Sequence, residues 1–366
     1  MPGLDDGPAT TSGLRIFGAG EGLQSTLDQG FHAADVASSQ KITEKIAALP
    51  HDADFFSLEF FPPKTKNGTA NLRARIVRMK HALQPLFVSI TWGAGGSSFN
   101  QSFDLAEKCQ RELGLTTLLH LTTVDMTRQT LDRALARARA LGIRNIMALK
   151  GDRPRDGSDP AAGHAANDAA VRQDFFWAVD LVRYIRKAHG NYFNIGVAAY
   201  PEGHFNASDP SSRGVEHDLP FLAEKVEAGA DFIMTQLFYD MDAYADFESK
   251  VRAYPSEALK KIPIIPGILP IPSQRRFDNT LKLAHATVPD IIRAQLDPVR
   301  KNNTEWMTAG ERVVTDLVGA IHERASKRPG PRGYSFFTLN QEEPVSTVLK
   351  NTHLASGARK SGASDA

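Results

Sequence analysis

Residues 55–63 read Phe-Phe-Ser-Leu-Glu-Phe-Phe-Pro-Pro, an apolar run of strand length that stops at two prolines. Seven further runs of similar length follow along the chain. Both faces of these runs are apolar, which is typical of parallel strands buried between a core and a layer of helices. The eight predicted strands are Phe55–Phe61, Phe87–Gly93, Thr117–Thr123, Asn145–Lys150, Asn194–Tyr200, Asp231–Phe238, Pro263–Leu269 and Tyr334–Leu339.

Several segments between the runs carry the periodicity of amphipathic helices. Two apolar stripes are clear, one of Leu131, Leu135, Ala138 and Leu141 and one of Leu219, Leu222, Ala223 and Val226. N-caps are expected at Thr127 and Asp218, and helix ends at Gly142, Gly190 and Gly229. Alternating strands and helices form either a closed barrel or an open doubly wound sheet. A count of eight strands favours a (β/α)8 TIM barrel.

The interval between the seventh and eighth runs is long, about 65 residues. Helical patterns around Ile291–Val299 and Met307–Ala325 occupy it. We therefore expect extra helices inserted before the last strand, which lengthen the connection without breaking the barrel.

The composition is that of an ordinary globular protein, with 42% hydrophobic and 23% charged residues in a chain of 366. The formal net charge is +1, and no basic stripe indicates nucleic-acid binding. The single cysteine, Cys109, excludes an internal disulfide and a cysteine-rich metal site. The first residues show neither the apolar core of a signal sequence nor the Arg-rich, acid-poor character of a mitochondrial presequence, and no apolar run reaches ~20 residues. We therefore expect a cytoplasmic protein that binds no membrane.

The two ends of the chain differ in composition from the middle. Residues 1–50, rich in Gly, Ser, Asp and Ala, are predicted to form a loosely ordered extension, with a weak helical pattern near Ile42 and Ile46. Residues 51–352 form the predicted catalytic barrel, and the small and polar residues 353–366 a disordered tail.

Glu59 is the polar residue that points most directly to chemistry. It lies near the end of the first strand, and active sites of (β/α)8 barrels lie at the C-terminal strand ends. Aromatic residues surround it in sequence, and burial among apolar groups raises the pKa of a carboxyl. A carboxyl that keeps its proton near neutral pH is a candidate general acid. The alternative is a glutamate paired with an Arg or Lys inside the barrel.

Three other strand-end residues are open to two interpretations. Asp152 follows a glycine at a strand end and is either a turn residue or a functional carboxylate. His120 and His204 either have partners within the protein or contact a ligand phosphate. A metal pair is disfavoured, because no His-x-His or His-Glu-x-x-His spacing accompanies them, and we expect no metal site.

The sixth strand and the helix before it hold three further polar residues of interest. Asp218 is most simply a helix N-cap, and Lys225 a solvated helix residue. Gln236 lies within a central strand, where a buried amide is expected to have a hydrogen-bond partner.

Five motifs in the chain resemble the methylenetetrahydrofolate reductase family. They are Leu58–Thr65, Thr91–Gly96, Asn145–Asp152, Ala199–His204 and Gly229–Phe238. The resemblance extends from about residue 54 to about residue 352, with the motifs in the family's order. It implies a (β/α)8 flavoenzyme of one-carbon metabolism that reduces methylenetetrahydrofolate to methyltetrahydrofolate. The implied cofactor is noncovalent FAD, and the electron donor is NADPH or NADH, which reduces the flavin and leaves before the folate binds.

The resemblance also implies roles for individual residues. Glu59 and Asp152 are the implied catalytic residues: Glu59 protonates a folate ring nitrogen, and Asp152 engages the pterin ring near the flavin. The implied cofactor-binding residues are Glu59, Thr91, Trp92, His120, Lys150, Gly151, Asp152, Trp177, Ala178, Tyr200, His204, Ala207, Asp218 and Lys225. The implied substrate-binding residues are Asp152, Gln236, Phe337 and Gln341. Members of the family are usually oligomeric, so a homo-oligomer is expected.

Three positions depart from the family pattern. Lys150 replaces an Arg, which changes a forked contact to a point charge. Phe337 replaces a Tyr of some members and lacks its hydroxyl, and Gln341 replaces an Arg that contacts substrate in those members. Eukaryotic members also carry a C-terminal domain that binds S-adenosylmethionine. Because this chain ends just after the barrel, we expect no feedback by that compound.

Two other functions compete with this interpretation. A flavin-free barrel lyase or aldolase needs a Schiff-base lysine or a cluster of carboxylates and histidines, and Lys150 is the one strand-end lysine that could serve. A catalytically inactive folate- or flavin-binding module is the other, and the presence of both Glu59 and Asp152 argues against it.

Overall fold

Eight parallel strands close into a barrel in chain order, with each strand paired to its neighbours and β8 paired to β1. The computed structural model describes residues 38–92, 99–151, 174–206 and 209–354. The strands are β1 Asp54–Phe60, β2 Phe87–Ile90, β3 Thr117–Thr122, β4 Asn145–Leu149, β5 Asn194–Ala199, β6 Phe232–Leu237, β7 Ile264–Ile268 and β8 Arg332–Phe337. The predicted (β/α)8 barrel and its eight strands are confirmed.

Helices surround the barrel, and three of them, α9, α10 and α11, lie between β7 and β8. Of these, α10 and α11 are the extra helices that were predicted there. The described helices are α1 Ile42–Ala47, α2 Lys66–Leu83, α3 Phe99–Glu107, α4 Arg128–Ala140, α5 Ala178–His189, α6 Val215–Glu227, α7 Met241–Ala253, α8 Glu257–Lys261, α9 Gln274–Ala284, α10 Asp290–Leu296, α11 Asn303–Ala325 and α12 Glu343–Lys350. Within the described residues, no helix has the length and hydrophobicity that a membrane span requires.

The predicted helix boundaries are mostly those observed. Thr127 caps α4, since its Oγ1 accepts a hydrogen bond from the Thr130 amide at 3.1 Å. Gly142, Gly190 and Gly229 have φ angles of +73°, +55° and +115° at or just after helix ends. Glycine reaches this left-handed region without a steric penalty, which is why it ends helices there.

Helix α1 closes the N-terminal end of the barrel. Ile42 is fully buried beneath the barrel interior, in one cluster with Phe55 and Phe87. Asn145, at the start of β4, accepts a hydrogen bond from the Ile42 amide at 2.8 Å through its Oδ1. The last part of the predicted extension therefore packs into the barrel, while residues 1–37 and the predicted tail from 355 onward lie outside the described residues.

The interior of the barrel changes from apolar at the closed end to polar at the open end. Along β1, alternate residues face inward, in the order Phe55, Ser57 and Glu59. Phe55 belongs to the apolar floor, and the Ser57 hydroxyl donates to Ser335 Oγ at 3.1 Å in the middle of the barrel. Glu59 follows at the C-terminal end. The side-chain order along one strand thus places a carboxyl where barrel enzymes hold their substrates.

Candidate active site

Glu59 lies near the C-terminal end of β1, in register with Ser89 of β2 and Phe337 of β8. Its side chain keeps 17% of its surface exposed, and burial raises its pKa to about 8. Among the described residues, no Lys or Arg forms an ion pair with it, so the alternative of a structural ion pair finds no support. At neutral pH this carboxyl is therefore mostly protonated, as a general acid requires.

His120 on β3 faces Glu59, with Nε2 3.8 Å from Glu59 Oε2. Burial lowers the pKa of His120 to about 4, so the imidazole is neutral at neutral pH. Because the pKa of the carboxyl is the higher of the two, the proton stays on Glu59 instead of moving to the histidine. The pair is an uncharged acid beside an uncharged imidazole.

Four buried polar atoms near the C-terminal, open end of the barrel (the mouth) have no hydrogen-bond partner within the described ranges. They are Ser89 Oγ, Trp92 Nε1, His120 Nε2 and Thr122 Oγ1. Buried polar groups are rarely left unpaired, because each unmade bond costs free energy. Ser89, His120 and Thr122 lie in the C-terminal halves of β2 and β3, and Trp92 lies just beyond β2, so these atoms fit a polar ligand that enters from the open end of the barrel.

The loop after β8 holds the end of β1 in place. Thr338 Oγ1 donates to the Glu59 carbonyl at 2.6 Å. Asn340 accepts from the Phe61 amide at 3.0 Å and donates to the Phe61 carbonyl at 2.8 Å, so its side chain continues the strand pairing. Thr338 and Asn340 belong to the polar strand ends visible in the sequence, but sequence reasoning assigned them no role. The signal available was Asn340 just past a strand, since asparagine tolerates the left-handed φ of +56° found there.

Thr91 and Trp92 follow β2 directly. The Thr91 amide donates to the Phe60 carbonyl at 3.0 Å, and the Thr91 carbonyl accepts from Ser102 Oγ at 3.0 Å. The Trp92 indole is 7% exposed and packs edge-on against Phe99, with ring centroids 5.2 Å apart. The backbone of Thr91 and the ring of Trp92 are thus fixed, while the indole nitrogen has no partner in the described structure.

Lys150 and Trp177 meet at the neighbouring strand end. Lys150 Nζ lies 4.0 Å from the centroid of the Trp177 ring, a cation–π contact. Trp177 is 58% exposed and precedes Ala178, the first residue of α5. Gly151 has a φ of +80°, and a Cβ there would lie 2.7 Å from Thr122 Cβ. Lys150 is exposed and lies over this ring, which does not favour its use as a Schiff-base lysine inside the barrel.

The end of β5 is tied to α6 through Asp218. The His204 amide donates to Asp218 Oδ2 at 2.6 Å, and the Tyr200 and His204 rings lie 4.7 Å apart. The prediction that Asp218 is an N-cap is wrong. Helix α6 begins at Val215 after Gly214, so Asp218 lies in its first turn and its carboxylate accepts from the preceding loop instead of from its own helix.

The prediction that Lys225 is a solvated helix residue is also wrong. Its Nζ donates to the carbonyl of Ala198 on β5 at 2.7 Å. Burial lowers its pKa to about 8, although the nearby Asp218 carboxylate opposes the shift. Lys225 comes three residues after buried Leu222, so it lies on the face of α6 that turns toward the barrel.

The predicted substrate residues are in three different settings. Gln236 Oε1 accepts from the adjacent Leu237 amide at 2.9 Å, so the expected partner is its own backbone. The Phe337 ring lies beside β7, 2.7 Å from where a Cβ on Gly267 would be. Gln341 lines a cavity of about 720 Å³ with residues of α2, α11 and α12. Asp152 and Ala207 lie outside the described residues.

Comparison with known proteins identifies the family of this chain. Residues 42–353 match the family model described as methylenetetrahydrofolate reductase. The chain is 42% identical to methylenetetrahydrofolate reductase 2 of Schizosaccharomyces pombe over 315 residues, which cover 86% of this chain and 48% of that protein. It is 35% identical over 319 residues to methylenetetrahydrofolate reductase (NADH) 1 of Zea mays, covering 86% of this chain and 51% of the other.

The chain spans about half the length of these curated relatives. Among solved structures, an uncharacterized protein from Clostridium thermocellum that binds two copies of 5-methyl-5,6,7,8-tetrahydrofolic acid is similar with a TM-score of 0.56. The two chains are 15% identical, and the match covers 86% of this chain and 99% of the other. That similarity shows the fold alone, whereas the matched family model covers most of the chain. The chain belongs to the methylenetetrahydrofolate reductase family.

Proposed function

We propose that this chain reduces methylenetetrahydrofolate to methyltetrahydrofolate, with NADH or NADPH as the electron donor and FAD as the bound cofactor. The observation that carries the proposal is the carboxyl of Glu59, which is buried at the barrel mouth with a pKa raised to about 8. Membership of the family and the names of the relatives support the substrate assignment.

The role of Glu59 is to deliver a proton to a ring nitrogen of the folate. Burial keeps the carboxyl protonated before the substrate arrives. The neutral His120, 3.8 Å away, does not compete for that proton, because its pKa is lowered to about 4. Thr338 holds the Glu59 backbone from the β8 side, so the acid has a fixed position relative to the mouth.

The unpaired polar atoms of Trp92, His120 and Thr122 supply donors and acceptors for a cofactor at the mouth. Farther out, Lys150 and Trp177 offer a cation and an exposed aromatic ring, and α5 begins beside them at Ala178. A helix start, a cation and an aromatic face are groups that bind phosphates and flat rings. When bound, FAD supplies hydride transfer between the nicotinamide and the folate.

The other predicted contacts complete the proposal. Tyr200, His204, Asp218 and Lys225 form the outer wall between β5 and α6. Gln236 lies on β6 and Phe337 on β8, and both are proposed to contact the folate, together with Gln341 and Asp152. The preference for NADH or NADPH, the assembly into homo-oligomers and the cytoplasmic location remain predictions.

Separating the two half-reactions by anaerobic stopped-flow absorbance tests this proposal. The wild-type chain and Glu59→Gln should both carry flavin, and NADH or NADPH should bleach it at similar rates in the two. Recovery of the oxidised flavin on adding methylenetetrahydrofolate should slow by roughly 10²- to 10⁴-fold in Glu59→Gln, the usual contribution of a general acid.

Glu323→Gln is the matched control, because that side chain is 79% exposed on α11. It should behave as the wild type in both half-reactions. A wild-type protein that takes up no FAD would contradict the proposal. Unchanged flavin recovery in Glu59→Gln would remove Glu59 from the role of acid.

A further inference from the structure

A second cluster of titratable side chains lies at the end of the barrel opposite to Glu59. It consists of Asp54 at the start of β1, His322 near the end of α11 and His353 just after α12. One ligand atom from each of the three lies within 4.8 Å of the others. Residues 54, 322 and 353 are far apart in the chain, so no spacing motif in the sequence could show this group.

The distances within the cluster resemble the edges of a metal coordination shell. His322 Nδ1 lies 3.3 Å from Asp54 Oδ1, and His353 Nε2 lies 3.6 Å from the same oxygen. Zinc binds nitrogen and oxygen ligands at about 2.0–2.1 Å, which places two ligands of a tetrahedral site about 3.3–3.4 Å apart. Both pairs are close to that separation, and the two imidazole nitrogens lie within 4.8 Å of each other.

Asp54 Oδ1 has more polar neighbours than its lone pairs can serve. Arg332 Nε lies at 2.8 Å and the Tyr334 hydroxyl at 3.4 Å, in addition to the two imidazole nitrogens. A carboxylate oxygen accepts about two hydrogen bonds, and the three longer distances exceed the usual range of about 2.7–3.2 Å. The imidazole nitrogens therefore converge on Asp54 at distances too long for good hydrogen bonds.

Arg332 holds both oxygens of the Asp54 carboxylate. Its Nε donates to Oδ1 at 2.8 Å, and its Nη2 donates to the second oxygen, Oδ2, at 3.0 Å. Groups that hold the outer oxygen of a coordinating carboxylate are common around metal sites and fix its orientation.

We propose that Asp54, His322 and His353 bind one divalent transition-metal ion, and that Zn²⁺ fits this donor set best. Two imidazoles and one carboxylate are zinc ligands in proteins, and water would take the fourth position. The side chains are 13%, 31% and 26% exposed, which leaves a path for the ion. The site joins the end of α11 and the segment after α12 to the first strand, so the bound ion stabilises the packing of these two segments against β1.

Metal titration of the full-length chain tests this site. After treatment with a chelator and dialysis, Zn²⁺ is titrated against the protein in competition with a chromophoric chelator. The wild-type chain should take up one tightly bound Zn²⁺, and His322→Asn and His353→Asn should each lose it. His81→Asn, which changes an exposed histidine of α2, is the matched control and should retain it. At Zn²⁺ 100-fold above Kd, the unfolding equilibrium constant of the wild type should fall about 100-fold.

Two outcomes would overturn the proposal: no tight Zn²⁺ uptake by the wild type, or the same uptake in His322→Asn and His353→Asn. The metal-free melting temperature and circular dichroism of each variant show whether it is folded. Co²⁺ bound to the wild-type chain gives a test without variants. An intense tetrahedral visible spectrum supports the site, and a weak octahedral spectrum contradicts it.

Discussion

Replacing Glu59 by glutamine should make the fold more stable at neutral pH. The pKa of Glu59 rises from an ordinary 4.5 to about 8 in the folded chain. Between these values the folded state holds a proton that the unfolded state has released, so stability falls by about 1.4 kcal/mol per pH unit. The contribution of this site is fully present below pH 4.5 and is lost as the pH rises toward 8. At pH 7 the loss amounts to about 3 kcal/mol, an upper figure because 17% of the side chain is exposed.

Glutamine has nearly the same shape and no charge, so Glu59→Gln removes this penalty. Urea unfolding followed by circular dichroism at pH 5, 6 and 7 measures the free energy of unfolding of both proteins. The value for the variant should exceed that of the wild type by less than about 1 kcal/mol at pH 5 and by about 3 kcal/mol at pH 7. Glu323→Gln, with its side chain 79% exposed, should change stability by less than about 0.5 kcal/mol at every pH. A constant difference between Glu59→Gln and the wild type across this range would refute the raised pKa.

Three further predictions follow from other parts of the molecule. Reoxidation of the reduced flavin by methylenetetrahydrofolate should slow above pH 8 in the wild type, because Glu59 loses its proton there. Stopped-flow traces recorded at several pH values check this, and a reoxidation rate that stays constant up to pH 10 would contradict it. Asn145→Ala should lower the free energy of unfolding by roughly 1–3 kcal/mol in urea, because it leaves the buried Ile42 amide unpaired. An unchanged urea midpoint would show that α1 does not need this hydrogen bond. Trp177→Ala should weaken FAD binding by about tenfold in fluorescence titrations. The melting temperature of the FAD-free chain should stay unchanged, because the ring is 58% exposed. Equal FAD affinity in the variant and the wild type would exclude the ring as a contact.

Most of the fold could be predicted from the sequence because each strand is apolar on both faces. The run around Glu59 extends to Phe61 by composition, whereas β1 ends at Phe60. The packing of α1 was harder to predict, because its anchors Asn145 and Asn194 lie on β4 and β5 and bond to residues more than 100 positions earlier. A short helix in a region of small residues gives a weak pattern, and only the tertiary contacts show its place.

The candidate site could be predicted where residues adjacent in sequence determine the environment of a side chain. Aromatic neighbours in sequence indicated that Glu59 is buried, and the burial is observed. The N-cap role of Asp218 and the solvated position of Lys225 were predicted from helical position alone. Both predictions were wrong, because the bonding partners lie on the loop after β5 and on β5 itself. Thr338 could not be found in this way, since its partner Glu59 is 279 residues away.

The protonation of Glu59 at neutral pH is the claim on which the proposed chemistry depends, and infrared difference spectroscopy measures it directly. Comparing the wild-type chain with Glu59→Gln at pH 7 should reveal the C=O stretch of one protonated carboxyl in the wild type. Raising the pH should replace that band by carboxylate bands with a midpoint near 8. Carboxylate bands at pH 7, with the midpoint near the ordinary glutamate value of 4.5, would contradict the account.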